Sequence, residues 1–238
     1  INLSSNSFII GGATFDYDND GWEDLFLTTD RGQRSLVFHN VKGKFVEVGS
    51  SLGFNETYQS TSVSFADVNQ DGWIDVYVAN YFEDNTNQNC LANSLYINQG
   101  GKSFVEDGVR YRVNDRGCGL ANSFSDYDND GDMDLFVAND FGQNFSSNAV
   151  YRNDFPEKSY TNVKDQMGFN NAILGMGVGV GDYNNDGYMD YYATNLGQNF
   201  FYENVQGQEF IERGKELKID NTRVNPNKEN SGLTVSWA

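Results

Sequence analysis

The chain alternates, four times over, between short apolar runs and one sharply polar interruption. An apolar run enters Asp16-Tyr-Asp-Asn-Asp-Gly-Trp-Glu-Asp24, and a second apolar run leaves it. The same happens at Asp67-Val-Asn-Gln-Asp-Gly-Trp-Ile-Asp75, Asp126-Tyr-Asp-Asn-Asp-Gly-Asp-Met-Asp134 and Asp182-Tyr-Asn-Asn-Asp-Gly-Tyr-Met-Asp190. The leading aspartates stand 51, 59 and 56 residues apart. Runs this short, rich in Val, Tyr and Phe and bounded by Gly, Asn and Asp, are strands.

Each repeat predicts four strands. In the first, the third residue upstream of the loop is small (Ala13, Ser64, Ser123, Gly179), which suits an innermost strand crowded by its neighbours. The second strand, Leu25–Thr29, Val76–Asn80, Leu135–Asn139 or Tyr191–Asn195, is apolar on both faces, as in a sheet held between two others. A third strand ends at Asn40, Asn98, Asn153 or Asn204, and a turn leads to a fourth near Phe45, Phe104, Tyr160 or Phe210. Four strands in a repeat of this length make a propeller blade.

The chain is therefore expected to be an all-β β-propeller segment of four-stranded antiparallel blades, at about 8–60, 61–118, 119–174 and 175–231. Gly232–Ala238 repeats the first-strand pattern, so a fifth blade is expected to start at 232–238 and the chain to belong to a longer propeller.

Composition agrees with many turns and an aromatic core. Aromatic residues make up 15%, and 25 glycines face 2 prolines. The charge changes the picture more. With 16 basic and 34 acidic residues the formal net charge is −18. That excludes nucleic acid and anionic membrane surfaces as natural partners, and no apolar run is long enough for membrane insertion. An acid excess of this size repels itself unless cations neutralise it.

The loops supply the places for those cations. Oxygens at loop positions 1, 3, 5 and 9, with the backbone carbonyl at 7, can surround one hard ion, and glycine at 6 allows the sharp turn. The expected ligands are Asp16, Asp18, Asp20, Asp24 and the Trp22 carbonyl; Asp67, Asn69, Asp71, Asp75 and the Trp73 carbonyl; Asp126, Asp128, Asp130, Asp134 and the Asp132 carbonyl; and Asp182, Asn184, Asp186, Asp190 and the Tyr188 carbonyl. All-oxygen, multi-carboxylate ligation selects Ca2+, about four ions, one per repeat. The two loops with Asn at position 3 are expected to bind more weakly. Position 12 holds Leu27, Val78, Val137 and Ala193, so these are not EF-hands.

These strings resemble the FG-GAP/VCBS-type repeats. Phe124-Ser-Asp-Tyr-Asp-Asn-Asp-Gly-Asp-Met-Asp-Leu-Phe-Val-Ala-Asn139 and the run from Met176 to Gly187 resemble the cartilage-acidic-protein/UnbV-like branch. The resemblance implies an extracellular, calcium-binding propeller that serves adhesion or ligand binding.

Cys90 and Cys118 both fall on the face opposite the Asp loops, where a disulfide or two buried thiols are open alternatives. That face also carries the variable segments Tyr81–Asn93, Phe141–Asn148 and Asn195–Asn199, read either as a sugar-contacting surface or as repeated structural turns. Asn2, Asn55 and Asn144 begin glycosylation sequons. His39, the one histidine, lies in a hairpin strand and reads as structural, and neither a Gly-x-Ser-x-Gly elbow nor a His-Glu-x-x-His pair occurs. The expected function is a secreted binding or adhesion module, not an enzyme, meeting extracellular glycan, protein or copies of itself. The alternatives are a structural subunit of a surface assembly and a calcium-dependent polysaccharide lyase or hydrolase.

Overall fold

The computed structural model describes residues 8–30, 32–82, 89–140, 146–169, 171 and 173–220. The expected start of a fifth blade at 232–238 lies outside them, as do Asn2, Asn144 and parts of the variable segments.

Four antiparallel sheets follow one another along the chain, each with its strands in sequence order. The first holds β1 (Ile9–Phe15), β2 (Asp24–Thr29), β3 (Leu36–Val41) and β4 (Lys44–Glu47). The second holds β5 (Ser60–Ala66), β6 (Asp75–Asn80), β7 (Ser94–Asn98) and β8 (Phe104–Glu106). The third holds β9 (Gly119–Ser125), β10 (Asp134–Asn139), β11 (Ala149–Asn153) and β12 (Tyr160–Asn162). The fourth holds β13 (Gly175–Gly181), β14 (Asp190–Asn195), β15 (Phe200–Val205) and β16 (Glu209–Glu212). First strands of consecutive sheets lie side by side, β1 by β5, β5 by β9 and β9 by β13. This is β-propeller architecture, with the sheets as blades. Among the described residues the ring is not closed.

The core lies in the seams between blades. Phe15, Phe26, Phe54, Val76 and Phe104 fill the first seam. Tyr77, Leu95, Tyr111, Leu135 and Tyr151 fill the second. Tyr127, Phe136, Phe169, Tyr191 and Phe210 fill the third. Burial of the second strands follows from this stacking. Every residue of β6 and β10 is buried, because these strands have a blade on either side. In β2 and β14 some positions are half-buried, because the described residues cover only one flank of each.

Short helical turns after the fourth strands were not evident from the apolar pattern. They are α1 (Gly49–Leu52), α2 (Gly108–Tyr111) and α3 (Gly214–Leu217). Each opens on a glycine whose N–H donates to the Glu two residues before it: Glu47, Glu106 or Glu212. Four residues carry too little periodicity to register as a helix.

On the face opposite the Asp loops, Cys90 and Cys118 are joined in a disulfide. It ties the β6–β7 connection of the second blade to the residue preceding β9 of the third. The bridge spans 28 residues of sequence, for which loop-closure entropy predicts about 3–4 kcal/mol of stabilisation. The double variant Cys90→Ser/Cys118→Ser is therefore expected to unfold at clearly lower urea. An unchanged midpoint would mean that the neighbouring seam contacts already fix this geometry.

Candidate metal loops

All four Asp loops adopt one conformation, set by their own side chains. The position-1 carboxylate accepts N–H groups from positions 5 and 6, as Asp20 and Gly21 donate to Asp16 at 3.1 and 2.9 Å. Asp67, Asp126 and Asp182 do the same. The position-5 carboxylate accepts the position-7 N–H in every repeat. Position 4 is left-handed at Asn19, Gln70, Asn129 and Asn185, and position 6 at Gly21, Gly72, Gly131 and Gly187. Asn at three of the four position-4 sites reflects its tolerance of that region.

The position-9 aspartates, Asp24, Asp75, Asp134 and Asp190, are completely buried. One oxygen accepts the position-2 N–H, and the other accepts the N–H of the last asparagine in the third strand. For Asp134 these donors are Tyr127 at 3.1 Å and Asn153 at 2.8 Å. For Asp75 they are Val68 at 3.0 Å and Asn98 at 2.8 Å. Each of these oxygens keeps a lone pair for a cation, except Asp24 Oδ1, which also meets His39 Nδ1 at 3.1 Å.

In the first repeat, carboxylate oxygens of Asp16, Asp18 and Asp20 lie within 4.8 Å of one another, and in the third those of Asp126, Asp128 and Asp134 do. The second and fourth loops, with Asn69 and Asn184 at position 3, show no such three-carboxylate group among the described residues. The Asn184 amide instead donates to Asp186 at 2.9 Å.

Burial and mutual repulsion leave these acids strained without a counter-ion. Burial pushes Asp134 up to about 8 and Asp75 up to about 7. Asp132 rises to about 7 through burial and the neighbouring Asp130 and Asp128. Asp18 and Asp128 are raised by burial and the charges of their loop partners. One oxygen each of Asp18, Asp128 and Asp132 is buried without a hydrogen-bond donor. An anionic oxygen shielded from water and lacking a donor is costly unless a cation meets it. The donor set thus fits a hard divalent ion.

Sequence reading assigned Asp132 only a carbonyl; its side chain proves to be a further buried acid of the third loop. His39 is the other addition. Its Nδ1 lies 3.1 Å from Asp24 Oδ1 and 3.7 Å from Asp18 Oδ2, so the imidazole braces the first loop. The third-strand asparagines also do more than their place in a strand suggests. Asn98, Asn153 and Asn204 each donate through Nδ2 to the position-2 carbonyl of the preceding blade, at Tyr17, Val68 and Tyr127. Asn19, Gln70 and Asn129 donate to the position-6 carbonyl of the next loop, at Gly72, Gly131 and Gly187. Adjacent loops are therefore linked in both directions. The recurrence of amides at these two places was the available signal.

On the opposite face, the Gly197-Gln198-Asn199 segment is a structural turn. Asn195 donates its N–H to Asn199 Oδ1 and its Nδ2 to the Gln198 carbonyl.

Tandem four-stranded blades with an acidic nine-residue loop between first and second strands define the class: a repeat β-propeller with one acidic loop per blade. The chain belongs to the FG-GAP-like repeat family, which it matches over residues 16–78 and 126–193, more than half its length. Both matched stretches begin on the first Asp of one loop and end just beyond the next.

Cartilage acidic protein 1 of Xenopus tropicalis is 26% identical over 176 residues, which is 72% of this chain. The chain spans only 26% of that relative's length. Among solved structures, an Agrocybe aegerita lectin that recognises non-reducing terminal N-acetylglucosamine aligns at 16% identity with a TM-score of 0.48, over 83% of this chain and 49% of its own.

Proposed function

We propose that this chain is a Ca2+-stabilised part of a secreted β-propeller that acts as a binding or adhesion module for extracellular glycan or protein. The observation that carries the calcium reading is the set of donorless, buried carboxylate oxygens in loops that share one conformation. Each loop would hold its ion through the side chains at positions 1, 3, 5 and 9 and the carbonyl at 7. The ion supplies positive charge and rigidity, and the chain's own amides keep the ligand oxygens converged. The Cys90–Cys118 bridge supports export, because such bonds persist in oxidising compartments.

A binding role is preferred to catalysis because the loop acids serve the turn and His39 is held by Asp24 and Asp18. The test is a panel of glycans and extracellular proteins probed with the purified chain in calcium and in chelator. Retention of a ligand in calcium alone is the expected result. Failure to retain any, with concentration-dependent polymerisation, would favour a structural subunit, and release of unsaturated sugar would favour a lyase.

A further inference from the structure

The four loops are alike, but their coverings are not. In the second blade, the β7–β8 hairpin presses Gly101 onto the first loop. A Cβ there would lie 3.0 Å from the Asp18 Cα and 2.8 Å from the Trp73 ring. In the fourth blade, Gly207 presses onto the third loop in the same way, with its Cβ position 2.7 Å from the Asp128 Cα. The asparagine before each hairpin accepts that glycine's N–H at 2.8 Å.

The third blade breaks the rule. Its hairpin, Asp154-Phe-Pro-Glu-Lys-Ser159, contains no glycine, and the completely buried Asn153 Oδ1 has no donor. The loop this hairpin should cover is the second. There a cavity of about 540 Å3 opens between the second and third blades.

The chemistry around this cavity is specific. Loop two contributes the half-buried indole of Trp73 and the Asn69 side chain, and the β7–β8 hairpin contributes Gln99. Two cations from different blades, Arg110 of α2 and Lys158 of the third hairpin, line it together with two acids, Asp71 and Asp107. Arg110 spends one nitrogen on Asp107, at 3.4 Å, and keeps the rest of its guanidinium. Lys158 has no ion pair among the described residues. Arg110 offsets Asp107 and the ion proposed for loop two would offset Asp71, so Lys158 is the charge left over, beside an aromatic face and the Gln99 amide.

We propose that this cleft binds an acidic sugar, a hexuronate unit of an extracellular glycan. The indole stacks on the apolar face of the ring, the Gln99 amide meets its hydroxyls, and Lys158 and Arg110 hold the carboxylate. One carboxylate per disaccharide suits the site better than a dense polyanion, which the surrounding acids would repel. The inference rests on the glycan-binding reading above and narrows it to one site and one sugar class.

The test is calorimetric titration of the calcium-saturated chain with a glucuronate-containing disaccharide and, separately, with its methyl ester. The acid is expected to bind at least about tenfold more tightly than the ester. Lys158→Asn, which tolerates the left-handed backbone at that position, and Arg110→Gln are each expected to weaken the acid about tenfold while changing the ester less than about twofold. Trp73→Ala is expected to weaken both, and its melting temperature shows whether the loop survives.

Equal affinity for acid and ester overturns the acidic-sugar assignment and leaves a neutral-sugar cleft. Acid binding that ignores both cation variants overturns the site. If neither disaccharide binds while other glycans or proteins do, this inference falls and the binding-module reading stands. If nothing binds at all, both fall.

Discussion

In saturating calcium, Asp134→Ala is expected to lose about 3–5 kcal/mol of stability, and clearly less in chelator. The difference arises because Asp134 has two roles. It accepts the buried Tyr127 and Asn153 N–H groups, and it belongs to the three-carboxylate group of the third loop. Alanine strands both donors under either condition. Only with a bound ion does it also remove a ligand. Without the ion, losing a carboxylate whose burial already penalises its charge brings partial relief. Urea unfolding of wild type and variant under both conditions measures this directly. An equal loss in calcium and chelator would make Asp134 a structural acceptor and nothing more.

The second large effect is on pH. Asp75, Asp132 and Asp134 hold their protons in the folded, ion-free chain up to about 7, 7 and 8, whereas in the unfolded chain they ionise near 4. A raised folded-state value means that the folded state binds the proton more tightly. Stability is then greatest below the unfolded value and falls as pH rises through the window up to the folded value. The chelated protein is accordingly expected to melt several degrees lower at pH 8 than at pH 5. A bound divalent ion favours the ionised acids, so calcium should raise the melting temperature more at pH 8 than at pH 5. Asp132→Asn should flatten the chelated profile, since it removes one of the three groups without deleting the position-7 carbonyl. A chelated profile that rises from pH 5 to pH 8 would contradict the burial of these acids.

Much of this architecture was legible from period and pattern. The four loops, the small residues at Ala13, Ser64, Ser123 and Gly179, and the apolar second strands were enough to specify stacked four-stranded blades. The short turns α1 to α3 were not legible, because four residues do not show a helical period. The cross-blade roles of Asn98, Asn153 and Asn204 were also hidden. An asparagine at a strand end reads as ordinary turn chemistry until the neighbouring blade is beside it. His39 was read as structural, and its contacts with Asp24 and Asp18 show what it supports. The cleft at Trp73 could not have been anticipated. It depends on which hairpin covers which loop, a relation between blades more than 80 residues apart in the Asn98–Tyr17 and Asn153–Val68 contacts. The one sequence trace of it was the glycine-free hairpin of the third blade.

The central claim is that the acidic loops are cation sites on which the fold depends. Thermal unfolding of chelator-treated protein, with calcium titrated back and magnesium as control, tests it most directly. An ion that binds only the folded state raises stability by about 2.7 kcal/mol per site at one hundred times its dissociation constant. The account predicts a large rise with calcium, saturating between about 0.1 and 1 mM as in extracellular modules, and little or none with magnesium. A melting temperature indifferent to both ions would contradict it and leave the four loops as bare turns.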